Sequence, residues 1–160
     1  MTSDADSIIN YGNIQIGNGL PETIVDQGII AYSVFKNYGN IYIDGTVDQG
    51  LLIYNDNGHF TNYSSGLLSI DNCRDEGIRV GNNNVGIFDN NGGTVHLGQN
   101  AGAIKGTSAI FVYFQGTLYN QNGGTINIDY TDNDGIRCDS SGIIHNIGIC
   151  LLYTSDAADE

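Results

Sequence analysis

Along this chain apolar and polar residues alternate in short runs, and the runs recur. The pattern Gly-x-apolar-x-apolar starts at Gly12 (GNIQI), Gly39 (GNIYI), Gly66 (GLLSI), Gly93 (GTVHL) and Gly124 (GTINI), with a further start at Gly148. A second pattern, small-apolar-x-apolar, follows each of the first five, at Gly28 (GIIA), Gly50 (GLLI), Gly77 (GIRV), Ala109 (AIFV) and Gly135 (GIRC). A third, apolar-x-Asn, precedes every first pattern and ends at Asn10, Asn37, Asn62, Asn90, Asn120 and Asn146. The apolar residues two positions before these asparagines are Ile8, Phe35, Phe60, Phe88, Leu118 and Ile144. The first pattern repeats at intervals of 27, 27, 27, 31 and 24 residues. The gap from first to second pattern is 11 residues in the second, third and fifth units and 16 in the first and fourth, which reads as a five-residue loop insertion at one corner.

Three period-2 runs per unit, separated by turn residues and with no 3.6-residue period, predict strands rather than helices. A period near 27 residues predicts stacked repeats, each of which buries its apolar face only against its neighbours. The expectation is an all-β parallel solenoid of five to six coils over residues 8–149, with residues 1–7 disordered or part of a preceding coil. At a strand spacing of about 4.8 Å, equivalent residues lie above one another. The inward ladders are then Ile14, Ile41, Leu68, Val95 and Ile126; Ile16, Ile43, Ile70, Leu97 and Ile128; and Ile29, Leu51, Ile78, Ile110 and Ile136. Phe35, Phe60 and Phe88 fill one corner. A buried amide at a bend must be hydrogen-bonded, so the six asparagines predict an inward ladder whose side chains bond one another and the turn backbone.

Composition agrees with this picture and narrows the partners. The 160 residues include 23 Gly, 20 Asn and a single Pro, a mixture that disfavours helix and supplies tight turns. Eighteen acidic side chains face five basic ones, which makes nucleic acid and anionic membrane poor partners. No apolar run approaches the roughly 20 residues of a membrane-spanning helix, so membrane insertion is not expected.

The repeats FKNYGNIYI and FDNNGGTVHL resemble those of right-handed parallel β-helix proteins of the pectate-lyase-like superfold. More closely, they are similar to Phe-x-Asn, Gly-x-Ile-x-Ile repeats of large secreted bacterial surface proteins, including autotransporter-type passenger domains and adhesin-like proteins. The resemblance covers residues 8–149. It implies a right-handed parallel β-helix, an extracellular or cell-surface location, and a structural or adhesive role within a longer solenoid that continues this one. The same scaffold also carries polysaccharide lyases and glycoside hydrolases, which is the enzymatic alternative. The last residues, CLLYTSDAADE (Cys150 to Glu160), break the repeat and resemble translated read-through of a transposase adapter sequence from a shotgun library. Such a tail is set aside from fold reasoning, and the chain is then expected to be a piece of a longer protein.

Candidate chemistry gathers where the second pattern repeats as RDEGIRV (Arg74 to Val80) and DNDGIRC (Asp132 to Cys138). With Ile78 and Val80 inward, Arg79 points out, and Arg137 occupies the same column two coils on, with Phe111 between them. In the resembled lyases, carboxylates on adjacent coils bind calcium and a nearby arginine acts as base, so Asp75, Glu76, Arg79, Asp134 and Arg137 are the catalytic candidates. The column is interrupted by Thr107 and Ser108 where carboxylates are wanted, and a calcium ion needs six to eight converging oxygens. A solvated, salt-bridged face is therefore the favoured reading.

Asp26, Asp48 and Asp75, each two positions before Gly, are candidates for Ca²⁺ between coils, the one cofactor considered. Their commoner role is to close turns by bonding downstream backbone. Alternate positions after the second-pattern residue form an outward aromatic stripe, Tyr32, Tyr54, Phe111 and Tyr113, with Tyr42 on another face. Exposed rings of this kind stack on sugars or fill a protein interface, so a glycan or a surface protein is the candidate partner. His59, His96 and His145 form no triad or metal-ligand spacing. Cys138 reads as a small buried residue and Cys73 as a turn residue, at different corners and unsuited to a disulfide.

Overall fold

The computed structural model describes residues 7–18, 25–82, 85–99 and 104–153. Segments 1–6 and 154–160, and most of both five-residue insertions, lie outside the described residues.

The described chain is a parallel β-solenoid of about five coils, each built from three short strands. The apolar-x-Asn runs form β1 (Ser7–Asn10), β4 (Val34–Asn37), β7 (His59–Tyr63), β10 (Ile87–Asn91), β13 (Thr117–Gln121) and β16 (Ile143–Asn146). The Gly-x-apolar-x-apolar runs form β2 (Asn13–Gly17), β5 (Asn40–Thr46), β8 (Leu67–Cys73), β11 (Thr94–Leu97), β14 (Thr125–Ile128) and β17 (Ile149–Leu152). The remaining runs form β3 (Ile29–Ala31), β6 (Leu51–Ile53), β9 (Ile78–Val80), β12 (Ser108–Val112) and β15 (Asp134–Cys138). Each set stacks as one sheet of six, six and five strands respectively, and every strand pairing is parallel.

Register follows the repeat. Ile14 pairs with Ile41, Ile41 with Leu68, Leu68 with Val95 and Val95 with Ile126. Ile29, Leu51, Ile78, Ile110 and Ile136 form the corresponding column of the five-stranded sheet. The sheet continues past residue 149, because Cys150 stacks on Ile126 and Leu152 on Ile128. Within this core Phe35, Phe60 and Phe88 stack as a buried aromatic column, with centroids 5.1 and 5.7 Å apart.

The asparagine ladder runs unbroken through the coils. Each side-chain Nδ2 donates to the Oδ1 of the next: Asn10 to Asn37 at 2.8 Å, Asn37 to Asn62 at 2.8 Å, Asn62 to Asn90 at 3.0 Å, Asn90 to Asn120 at 2.8 Å and Asn120 to Asn146 at 2.9 Å. The same Nδ2 also donates to the carbonyl that opens the Gly-x-apolar-x-apolar strand of the next coil, as in Asn37 to Leu67 O at 3.1 Å and Asn90 to Thr125 O at 3.2 Å. Every dipole points the same way, which polarises the chain of bonds cooperatively. Asn37, Asn62, Asn90 and Asn120 are fully buried, whereas Asn146 on the last coil is exposed.

This ladder explains the glycine that opens the first pattern. A Cβ on Gly66 would lie 2.3 Å from Asn62 Oδ1, and one on Gly93 would lie 2.3 Å from Asn62 Nδ2. Neither of these two residues has a left-handed φ, so the demand here is for space and not for backbone freedom.

Two cysteine expectations are corrected. Cys73 is wholly buried at the end of β8, because that strand runs three residues beyond the apolar repeat, and burial pushes its thiol up to about 12. Cys138 is exposed, because β15 is the margin of its sheet among the described residues. Both are unpaired.

Candidate functional site

The five-stranded sheet brings the arginine pair and most of the aromatic stripe onto one outward face. Its first outward column reads Ile30, Leu52, Arg79, Phe111 and Arg137 in register. The next outward position carries Tyr32, Tyr54 and Tyr113, each two residues on.

Phe111 is the centre of this face, yet it is not an open ring. The Arg79 and Arg137 guanidinium carbons each lie 5.4 Å from its centroid, and it is only 8% exposed. That corrects the expectation of an exposed Phe111: outward pointing and solvent access are separate properties when long cationic side chains on both neighbouring coils fold over the ring. Arg79 also reaches Tyr113, 5.5 Å from its centroid, and Tyr113 packs on Phe111 at 5.1 Å. Arg137 is held on its other side by Asp139, whose Oδ2 lies 2.7 Å from Nη2 and accepts from Nε at 2.9 Å.

The carboxylates beside this face are more enclosed than a solvated surface. Glu76 is 3% exposed, a correction to the expected open salt-bridged face. Its Oε1 accepts from Thr107 Oγ1 at 3.0 Å and its Oε2 from Gln49 Nε2 at 3.2 Å, with Arg79 Nη1 3.9 Å away. A buried carboxyl is tolerated only when it is hydrogen-bonded in this way. Gln49 Nε2 also donates to Asp75 Oδ2 at 2.7 Å, and one coil back Gln27 Nε2 donates to Asp48 Oδ2 at 3.1 Å.

Asp75 is half-buried and its carboxyl is pushed up to about 6, first by burial, then by the charge of Glu76 and hydrogen bonding to it, and then by Asp48. Asp134, on the margin strand β15, is exposed and paired in register with Ser108. Ser108 Oγ and Arg79 Nε are buried without a hydrogen-bond partner.

The glutamines are the part of this cluster that the repeat reading missed. Their signal is in the sequence: Asp26-Gln27-Gly28, Asp48-Gln49-Gly50 and Asp75-Glu76-Gly77 are the same corner on successive coils. An amide in one coil can donate to acids in the next, so the Asp-Gln pairs are mutually satisfying. Asp26 is exposed. Among the described residues no group of three or more His, Cys, Asp or Glu side chains is arranged to hold a metal ion. One carboxyl oxygen each of Asp48 and Asp75 accepts from a glutamine amide of the preceding coil.

The remaining aromatic candidates lie apart. Tyr32 and Tyr54 are half-buried and meet edge to face at 5.4 Å. Tyr42, on the sheet of β5, is 38% exposed. A further aromatic column was not anticipated: Tyr11, Tyr38 and Tyr63, each directly after a ladder asparagine, stack with centroids 5.0 and 4.3 Å apart and planes within 13° and 4° of parallel. Asn-Tyr in three successive units was the available signal. The histidines stay separate. His96 meets Asn127 at 3.2 Å, His59 meets Thr61 at 3.3 Å with burial lowering its pKa, and His145 stacks on Tyr119 at 5.0 Å.

The carboxylates of this corner and Arg137 are thus engaged by neighbouring side chains, while Ser108 Oγ and Arg79 Nε stay unpartnered. The open elements of the arrangement are the Tyr32–Tyr54 pair, Tyr113, Tyr42 and the outer face of Tyr11. Comparison adds no relative to these features: no family model matches the chain, and neither the curated proteins nor the solved structures include a significant match.

Proposed function

We propose that the chain is a structural and adhesive segment of a secreted or cell-surface β-solenoid protein, wound right-handed like the pectate-lyase-like superfold, and that its outward tyrosines contact glycans or a partner protein. The observation carrying this reading is the face of the five-stranded sheet. There Tyr32, Tyr54 and Tyr113 keep accessible ring surface, while the neighbouring charged groups are engaged by Gln49, Thr107, Phe111 and Asp139. Rigid aromatic rings on a flat scaffold supply contact area at little entropic cost. The test is a glycan array and a surface-protein pull-down with the parent chain and with Tyr54→Ala and Tyr113→Ala. Selective binding that both substitutions weaken supports the reading, and no binding by the parent removes it.

One observation favours an enzymatic second reading, a polysaccharide lyase or glycoside hydrolase: burial and the neighbouring Glu76 push the Asp75 carboxyl up to about 6, within the range useful to a general acid or base, and Glu76 in turn lies 3.9 Å from Arg79. Product release from uronate-containing and neutral polysaccharides, lost in Asp75→Ala, distinguishes it. No turnover at any pH between 5 and 8 eliminates it.

A further inference from the structure

The tyrosine stack has a chemistry that neither the fold nor the glycan reading uses. Tyr38 and Tyr63 follow Asn37 and Asn62, which pair in register on β4 and β7, so the two rings start from adjacent strands. Their centroids are 4.3 Å apart and their planes 4° from parallel. Both side chains are partly exposed, so they can tilt without disturbing the core. Nearly parallel rings at this separation, rising from adjacent coils, hold the two phenol groups side by side. Rings stacked this closely bring their ortho carbons near one another, and those carbons carry much of the spin density of a phenoxyl radical.

Face-to-face stacking further argues against a sugar platform at this site. Both faces of Tyr38 and one face each of Tyr11 and Tyr63 are occupied by neighbouring rings, so a pyranose finds an uncovered ring face only at the two ends of the stack.

We propose that Tyr38 and Tyr63 form an oxidative cross-linking site, at which a peroxidase-type one-electron oxidant joins them as a dityrosine. Each phenol loses one electron and one proton to give a phenoxyl radical. The two radicals couple through their ortho carbons to form one C–C bond, and both rings regain aromaticity by moving the ortho hydrogens to oxygen. With hydrogen peroxide as terminal oxidant, two tyrosines and one peroxide yield one dityrosine and two waters. The product is a covalent staple between the second and third coils, in a chain whose three cysteines are unpaired.

The experiment treats the folded 160-residue chain with peroxidase and hydrogen peroxide. Products are read by dityrosine fluorescence and by peptide mass mapping. The expected result is a linked peptide pair containing Tyr38 and Tyr63, lighter by two hydrogens, formed in the monomer with a yield unchanged over a tenfold dilution. Tyr63→Phe, which keeps the ring but cannot form the radical, should abolish that pair, whereas Tyr130→Phe should leave its yield within twofold of the parent. The oxidised parent should also melt several degrees higher, a gain absent from oxidised Tyr63→Phe. Cross-links that join only separate molecules, or that are spread over Tyr11, Tyr42, Tyr130 and Tyr153 without a Tyr38–Tyr63 pair, overturn the proposal.

Discussion

Asn37 donates its side-chain amide to Asn62 Oδ1 at 2.8 Å, and that one bond joins two coils 25 residues apart in sequence. Asn37 also accepts from Asn10 at 2.8 Å and from the Gly39 backbone at 3.3 Å, and donates to Leu67 O at 3.1 Å. Replacing it with an isosteric apolar residue strands buried partners on both neighbouring coils. Asn37→Leu should lower unfolding free energy by about 2–3 kcal/mol, the cost of leaving such groups unsatisfied. Denaturant unfolding with an unchanged midpoint and slope would show that water or backbone movement replaces the ladder.

The glycine over the ladder should be coupled to it. Adding a methyl at Gly93 forces a Cβ against Asn62 Nδ2 and, at 2.7 Å, against the Tyr63 carbonyl. Gly93→Ala should therefore destabilise by about 2–4 kcal/mol, within the range for overpacking combined with a broken buried bond. Asn62→Ala removes one of the two obstacles, so the double variant should be more stable than the sum of the single effects by about 1 kcal/mol. Strict additivity in a double-mutant cycle would mean that the backbone carbonyl alone sets the cost.

These couplings also show what the sequence could and could not reveal. The ladders from Ile14, Ile29 and Asn10 were legible because a residue repeated near every 27 positions must stack on itself, whatever its neighbours do. Lateral relations were less legible. Glu76 reads as part of a solvated face from its charge and its acidic and arginine neighbours, but Gln49 and Thr107 on the coils before and after close over the carboxylate, a lateral relation that no repeat spacing encodes. Phe111 looked open because period 2 gives direction and not cover, and its cover comes from arginines one coil before and one coil after. The Tyr11, Tyr38 and Tyr63 column is not legible from the alternating runs because it lies just past the ladder asparagine, where the apolar-x-Asn run ends.

The terminal coils predict self-association. Among the described residues, β16 and β17 are sheet margins at one end, with Ile147 79% and Leu152 57% exposed; at the other, β1 and β2 are margins beside Ile9 and Tyr11. Unpaired parallel edges beside apolar surface template further strands, and contact between two different ends does not close into a ring by necessity. Sedimentation of the 160-residue chain should show mass rising with concentration. Leu152→Lys, which places a charge on the exposed end of the core column, should shift the distribution toward monomer. A parent that remains monomeric up to millimolar concentration would contradict this.

The last prediction concerns Asp75 and pH. Its folded-state pKa of about 6 lies above the ordinary value of 3.8, so the native state holds a proton that the unfolded chain has already released between those two pH values. Stability from this group is accordingly greatest below about pH 4, falls as pH rises from 4 to 6, and reaches its minimum above 6. Asp75→Asn keeps an acceptor for Gln49 and supplies a permanent donor toward Glu76 or Asp48, where the carboxyl needs a proton to donate. The variant should be more stable than the parent at pH 7.5 by about 1 kcal/mol, a figure reduced for solvent screening of a half-buried carboxyl. It should match the parent at pH 3.5. Comparison at each pH cancels the general relief of repulsion that acidification gives a chain with formal charge −13. Parallel stability curves for the two proteins from pH 3.5 to 7.5 would show that Asp75 titrates normally and that the Asp48–Asp75–Glu76 corner is fully hydrated.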